Sequence, residues 1–456
     1  MATFTRRTHV PASAEEVFRW HARPGALERL TPPWTRLEVI ERTGGIESGA
    51  RAMLRIPLGP TQVRWVAEHR DYIEGRQFRD VQVEGPFARW EHTHRFDPDG
   101  PDSSFLEDHI NYEMPLGLPG ALIGGPFVHA MLERTFTYRH RITADDLATH
   151  ARYDGATLQV LLSGASGLVG SALVPFLTTG GHRVTRLVRH QPPSGSNAIR
   201  WHPESGALDA PDLPAVDTVI HLAGENIAGS RWTAAVKERI KHSRVTPTRL
   251  LCETLARWHR PPAALICASG VGFYGDTGAQ TCDEDSASGT GFLAEVSREW
   301  ETATAPAADA GIRVVNLRLG VVLSPAGGAL AKLLVPFQLG VGGRVGSGQQ
   351  YMSWIALDDV LAIILHAIRM PQLRGPVNAV VPQAVTNLEF TRTLGHVLSR
   401  PTLFPVPAAA ARFAFGEMAD EMLLASSRVQ PARLVTSAYT FRHPDLEGAL
   451  RHMLGK

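Results

Sequence analysis

The chain has 456 residues, too many for one ordinary core at roughly 150 residues per domain, so at least two folding units are expected. Hydrophobic residues make up 44% and charged residues 20%, a balance that excludes a disordered or fibrous chain. The 46 basic and 45 acidic residues leave a formal net charge of +1, which excludes a global field for nucleic acid or an anionic membrane, so any bound anion must be held locally.

The opening "MATFTRRTHVPASAEEVF" has no apolar signal core, and no later stretch approaches the roughly 18 apolar residues of a membrane span. A protein that neither leaves the cell nor crosses a bilayer is expected. "VPASAEEVFRWH" reads as a helix entry, with Ser13 as N-cap and Glu16 as its capping-box partner. Strands are then expected at 35–42, 50–57, 61–71, 76–84, 88–97 and 104–113, separated by turns such as "DPDGPDS". A helix from about Pro126 to Leu147 closes this α+β region, with Val128, Met131, Leu132, Phe136 and Leu147 near one face. "THARYDGATLQ", residues 149–159, is the expected joint to the next unit.

From Thr157 strands alternate with helices: 158–163, 168–179, 182–188, 217–223, 233–258, 263–269, 291–310 and 312–319. That rhythm predicts a parallel sheet covered on both faces. "VLLSGASGLVGSAL" places Gly164, Gly167 and Gly170 between an apolar strand and an amphipathic helix. The first glycine permits the tight turn, the second lets backbone approach a pyrophosphate, and the third allows close helix–strand packing, while the helix N-terminus offers free N–H groups to the anion. The second strand, "HRVTRLVR", carries Arg186, Arg189 and His190 where an NAD site usually presents a carboxylate to the ribose, so NADP is expected rather than NAD. The three cysteines, Cys252, Cys267 and Cys282, are odd in number and lack C-x-x-C pairing, which argues against a disulfide framework or zinc site and for a reducing cytoplasm. After about Leu319 the chain is Gly/Pro-punctuated, with helices near 328–340, 357–369, 386–399, 408–425 and 445–454, and reads as a cap on the sheet.

"VPASAEEVFRW…PGALERLTPPW" and the order of elements around it resemble the START-like, polyketide-cyclase-like helix-grip domains, which implies an apolar ligand between sheet and helix. "LLSGASGLVGSAL", "VIHLAGENI", "ASGVGFYGD", "NLRLGVVLSPAGGAL", "PFQLGVGGRVGSGQQYMSWI" and "NAVVPQAVTNLEF", in that order, resemble the extended short-chain dehydrogenase/reductases, within them the atypical epimerase-like subgroup with its own C-terminal domain. The expected organisation is a helix-grip domain over 1–150, an α/β Rossmann domain over 157–325 and a C-terminal substrate or cap region over 326–456. The resemblance implies cofactor contacts from Gly164, Ser166, Gly167, Leu168, Val169, Arg189, Leu222, Ala223 and Gly224.

It does not supply the chemistry. The family reaction needs a Tyr-x-x-x-Lys pair and a Ser, but "GFLAEVSREWE" has Phe292 and Val296 at the nearest matching spacing, and Gly270 stands in the serine's slot beside Ser269. Ser269 and Tyr274 are the catalytic candidates, with Glu225 and Arg318 behind them; Arg318 could instead pair with an acid such as Asp358. In "RWEHTHRF", His92 and His94 share a strand face with Trp90 and Phe96, but no third ligand can be placed, so no metal is expected. "RWTAAVKERIKHSR" reads as a solvated basic helix rather than a nucleic-acid site. The functional expectation is an NADP-dependent oxidoreductase or epimerase acting on a small molecule, against a non-catalytic NADP-binding sensor or a carrier of an apolar ligand.

Overall fold

The computed structural model describes residues 1–58, 61–153, 155–209 and 215–456; Asp154, within the expected joint, lies outside the described residues. Two compact units form. One comprises Met1–Gly155 with Pro175–Gly181 and His452–Gly455, and the other comprises the remainder.

In the first unit the elements are β1 (Ala2–Val10), α1 (Ala14–Ala22), α2 (Ala26–Leu30), β2 (Glu38–Thr43), β3 (Arg51–Leu58), β4 (Thr61–Ile73), β5 (Gln77–Glu84), β6 (Arg89–Pro98), β7 (Ser104–Glu113) and α3 (Gly117–Arg152). The strands make one antiparallel sheet in the order β1-β7-β6-β5-β4-β3-β2. Alternation along β6 and β7 buries Trp90, Phe96, Leu106 and Ile110, and α3 adds Val128, Leu132 and Phe136 to the core. The α+β helix-grip expectation holds, with four differences. β1 precedes the expected strands, hidden because its inward positions 6 and 8 are Arg and Thr rather than apolar residues. α3 starts at Gly117, so Pro126 sits inside it instead of opening it. Met131, expected on the buried face, is 39% exposed. Ser13 does cap α1, accepting the Glu16 N–H at 3.3 Å, but the Glu16 carboxylate turns to Arg19 and Arg23 rather than completing a capping box.

The second unit holds β8 (Gln159–Ser163), α4 (Leu168–Thr179) as far as Val174, β9 (Arg183–Val188), β10 (Ala198–His202), β11 (Ala207–Leu208), β12 (Thr218–His221), α5 (Ala234–Ala256), β13 (Ala264–Gly270), β14 (Thr281–Cys282), α6 (Phe292–Thr302), α7 (Ala305–Asp309), β15 (Arg313–Leu319), β16 (Val321–Ser324), α8 (Gly328–Gln338), β17 (Tyr351–Met352), β18 (Trp354–Ala356), α9 (Leu357–Arg369) and β19 (Gly375–Ala379). Its main sheet is ordered β11-β10-β9-β8-β12-β13-β15-β19, parallel except at the β10–β11 edge. This is the doubly wound Rossmann order. The central strands are apolar throughout, with Val160–Leu162, Val219–Ile220 and Leu265–Cys267 buried on both faces.

Two expected helices are broken. The one at 291–310 divides into α6 and α7, with Pro306 in the first turn of α7. The one at 408–425 stops at Phe415, because Gly416 adopts φ +63°, and a π-type turn, Ala419–Leu424, follows. Strands β10 and β19 were not anticipated: "AIRWH" and "GPVNA" are short and carry polar or turn-forming residues.

Candidate functional site

The strand order reverses at β8. The chain proceeds outward through β9 and β10 on one side, then crosses to β12 on the other, so a crevice opens beyond the C-terminal ends of β8 and β12. The glycine loop sits there. Gly164 has φ +75°, and a Cβ on it would lie 2.6 Å from the Leu222 carbonyl carbon, so only glycine lets this loop touch the segment leaving β12. A Cβ on Gly170 would drive into the Gly164 carbonyl oxygen, which fixes the close approach of α4 to the loop.

Gly167 is different. A Cβ there would meet only the Gly164 oxygen, at 3.4 Å, and both Gly167 and Ser166 are exposed. Packing within the chain therefore does not require a glycine at 167; an object outside the loop would. Leu168 and Val169 open α4, where the first N–H groups of a helix lack intrahelical acceptors and point toward the crevice end. Leu222, Ala223 and exposed Gly224 continue β12 on the other wall, with the Leu222 N–H bound to the Ser163 carbonyl at 3.2 Å. Arg189 follows the last residue of β9, is exposed, and makes no ion pair with a described residue. The donor set suits a dinucleotide: bare backbone for a pyrophosphate, a helix N-terminus, and a free guanidinium one strand away.

Behind the loop, Ser163 Oγ lies 2.6 Å from His221 Nδ1, and His221 Nε2 lies 3.0 Å from the Thr248 hydroxyl of α5, which also accepts the Trp300 indole N–H at 3.0 Å. Burial lowers the His221 pKa to about 4, so the ring is neutral. The tie clamps the ends of β8 and β12 to the helices behind them. Arg244 reinforces it, donating to the Glu225 carbonyl at 2.8 Å beside Gly224, and burial lowers its pKa to about 10.

The catalytic candidates are placed differently from expectation. Ser269, Arg318 and Asn378 occupy matched register positions on β13, β15 and β19, which turns their side chains to one face of the sheet. Glu301 of α6 meets them. Arg318 grips its two carboxylate oxygens at 2.8 Å each, and the Ser269 hydroxyl donates to the same carboxylate at 2.7 Å. A further Arg318 N–H donates to the Tyr274 hydroxyl at 2.8 Å, which in turn donates to Asn378 Oδ1 at 2.8 Å. The guanidinium also stacks 3.5 Å from the Phe273 ring centroid.

Tyr274 is 3% exposed, and burial pushes its phenol up to about 12. Both hydrogen-bonding directions of that hydroxyl are used within the chain. Ser269 and Tyr274 thus belong to a closed buried network, and Arg318 pairs with Glu301, not with Asp358. Glu225 is a partly exposed carboxylate 3.2 Å from Arg239. Glu301 and Asn378 escaped the sequence reading. The signal for Glu301 was its position nine residues past Phe292 on an amphipathic helix; nothing in "PVNAV" marked Asn378.

A groove of about 600 Å³ lies at the N-terminal ends of α5 and α6, lined among others by Trp232, Lys237, Lys241, Phe292, Glu417 and Glu421. Most of its charges are spent internally: Lys237 pairs with Glu417 at 2.7 Å, Lys241 with Glu295 and Glu299, and Glu421 caps α6 through the Phe292 and Leu293 N–H groups.

Residues 160–380 match the NAD dependent epimerase/dehydratase family, residues 1–152 the family described as polyketide cyclase / dehydrase and lipid transport, and residues 406–453 a domain of unknown function. An epimerase family protein of Mycobacterium bovis is 46% identical over 295 residues, 65% of this chain and 97% of the relative. Human epimerase family protein SDR39U1 is 36% identical over 300 residues, 65% of this chain and the whole of the relative. Among solved structures, a nucleoside-diphosphate sugar epimerase from Corynebacterium glutamicum superposes with a TM-score of 0.81 at 36% identity, covering 99% of this chain and 90% of that one. The human SDR39U1 structure, solved with NADPH, has a TM-score of 0.61 at 35% identity, covering 65% of this chain and 99% of its own. The Rossmann order, the glycine loop at its switch point and these relatives agree: the chain belongs to the NAD-dependent epimerase/dehydratase family, among the SDR39U1-type epimerase family proteins, and carries a polyketide-cyclase-like unit in front.

Proposed function

We propose that the second unit binds NADP(H) and acts as an oxidoreductase or epimerase on a small molecule. The observation that carries the cofactor choice is Arg189, exposed and without an ionic partner among the described residues at the end of the strand beside the glycine loop, where no carboxylate stands. A 2′-phosphate there gains a charge-assisted hydrogen bond, while the ribose hydroxyls of NAD gain no carboxylate acceptor. Leu168 and Val169 would present backbone N–H groups to a pyrophosphate lying over Gly167, whose own N–H donates to the Gly164 carbonyl at 3.0 Å, and Leu222 to Gly224 would line the other wall. Human SDR39U1, solved with NADPH, supports the same choice. A bound nicotinamide supplies hydride exchange with a carbon bearing a hydroxyl or carbonyl. Among the described residues no helix is long and apolar enough to cross a membrane. Separately, Cys252, Cys267 and Cys282 are buried as free thiols, which supports a reducing compartment.

The test is a binding titration of wild type and Arg189→Glu with NADPH and NADH. Loss of a charge-assisted contact is worth about 1.5–3 kcal/mol, so NADPH affinity should fall roughly 10- to 150-fold while NADH affinity changes little. An unchanged preference would remove Arg189 from the 2′-phosphate site.

One observation favours a second reading, an NADP-binding sensor without turnover: the Tyr274 hydroxyl and the Ser269 hydroxyl are both committed inside the Glu301–Arg318 network. Stoichiometric NADPH binding with no NADPH oxidation across a broad carbonyl panel would establish that reading over the enzymatic one.

A further inference from the structure

The first unit holds a second constellation that the cofactor site does not use. Between the sheet and α3, where the family resemblance implies an apolar ligand, the apolar core is interrupted by a buried polar cluster. His92 and His94 of β6, both almost fully buried, converge on Asp80 of β5. Asp80 Oδ2 lies 3.5 Å from His92 Nδ1 and 3.2 Å from His94 Nε2. The three donor atoms all lie within 4.8 Å of one another. The register explains the meeting. Asp80 pairs with His92 across β5 and β6, and period-2 alternation brings His94 to the same face one step along.

The opposite nitrogens are held by a second carboxylate. His92 Nε2 lies 2.7 Å and His94 Nδ1 2.6 Å from Asp108 Oδ1 of β7, while Asp108 Oδ2 meets His140 Nε2 of α3 at 2.6 Å. His140 Nδ1 in turn lies 2.8 Å from the Thr8 hydroxyl. On the other flank, His69 Nε2 lies 2.7 Å from Asp80 Oδ1. His94 Nε2 is within hydrogen-bond distance of Asp80 Oδ2, while His92 Nδ1 stands 3.5 Å from the same oxygen. Asp80 Oδ1, His69 Nδ1 and His94 Nδ1 are buried without a properly angled hydrogen-bond partner, although His94 Nδ1 and Asp80 Oδ1 each stand within 2.7 Å of an opposite pole.

We propose that Asp80, His92 and His94 bind a divalent first-row transition-metal ion, with zinc the reference case, inside the polyketide-cyclase-like unit. An ion with bonds of about 2.0–2.1 Å to nitrogen and oxygen sets tetrahedral donors about 3.3 Å apart, and the two Asp80 separations bracket that value. Both histidines present one nitrogen toward the ion and the other toward Asp108, His92 Nε2 hydrogen-bonded to it and His94 Nδ1 2.6 Å from it, the outer-shell arrangement that fixes a ligating imidazole's orientation. The two carboxylates, Asp80 and Asp108, would balance a divalent charge. Three protein ligands leave a coordination position over, and the Asp80 side chain keeps 23% of its surface accessible, which provides an approach for a water or an oxygen-bearing ligand.

The experiment uses the full chain, stripped with chelator and titrated with ZnCl₂ while metal content is counted by mass spectrometry. Wild type should take up one tight equivalent, and X-ray absorption should report two nitrogen donors from imidazole plus oxygen. His94→Gln, which removes a ligand, should abolish that equivalent. Asp108→Asn should keep it with affinity reduced roughly 10- to 100-fold. His9→Gln, an exposed histidine on β1, should behave as wild type. No stoichiometric uptake by wild type, or uptake insensitive to both His94→Gln and Asp108→Asn, overturns the site. Should His94→Gln fail to fold by circular dichroism, the wild-type absorption spectrum and the Asp108→Asn affinity still decide.

Discussion

The two units each bury a polar cluster, and the clusters are built on opposite principles. Around Arg318 every charged or hydroxyl group has a partner of the right kind at a hydrogen-bonding angle: one guanidinium, one carboxylate, one phenol, one amide and one serine close on themselves. Around Asp80 four histidines crowd two carboxylates, and several buried atoms lack an angled partner. The first pattern is that of a structural clamp, which joins α6 to the ends of β13, β15 and β19. The second gathers imidazole nitrogens and a carboxylate oxygen at the spacing of metal ligands. The lesson is that a buried cluster of chemically versatile residues signifies function by the spacing and pairing of its atoms, not by its residue types.

The contrast breaks most visibly at Glu301. If the Arg318 network is a clamp, Glu301→Ala strands a guanidinium whose side chain is 4% exposed, and loss of one partner of a buried ion pair costs about 3–5 kcal/mol. Urea unfolding followed through the second unit's tryptophans should show that loss. A variant that stays as stable as wild type would mean that the pair is better solvated than its burial indicates.

The second unit's other internal tie gives the next largest effect. His221 is buried and neutral between Ser163 and Thr248, with its pKa lowered from 6.5 to about 4. A histidine depressed on folding takes up its proton in the unfolded chain first. Stability should therefore be fully present above about pH 6.5 and decline as the pH falls toward 4, by about 1.4 kcal/mol per pH unit and ~3 kcal/mol over the window. His221→Gln removes this titration. The difference between wild-type and variant unfolding free energies, measured from pH 7.5 to 4, should change by that amount, and parallel curves would show that His221 is not desolvated as its surroundings require.

How much of this was legible in the sequence follows from where the information sits. Apolar runs and glycine spacing are local, so the Rossmann unit and its loop could be read from "VLLSGASGLVGSAL", and the α+β character of the first unit from its alternating strands. The clusters are non-local. His92 and His94 were visible as one face of a strand, but Asp80, twelve residues before His92, became their neighbour only through the pairing of β5 with β6, and Asp108 and His140 only through β7 and α3. Ser269 and Tyr274 misled for the same reason: residue types suggested proton transfer, while Glu301 and Asn378, which occupy them, arrive from 32 residues and 104 residues further along the chain.

The smallest expected change in stability tests the glycine loop against both clusters, because there the unspent capacity is backbone. Gly170→Ala pushes a methyl group into the Gly164 carbonyl and must shift α4, whereas Gly167→Ala adds one beside the same oxygen at 3.4 Å, an ordinary contact. Gly167→Ala should therefore unfold within about 0.5 kcal/mol of wild type. Its methyl group nevertheless stands on the exposed side of the loop, where a pyrophosphate would approach the backbone, so NADPH affinity should fall at least about tenfold, a cost near 1.4 kcal/mol. Unchanged stability together with unchanged affinity would place the dinucleotide elsewhere than against Gly167. Loss of affinity without loss of stability would show that this glycine is kept for a ligand and not for the fold.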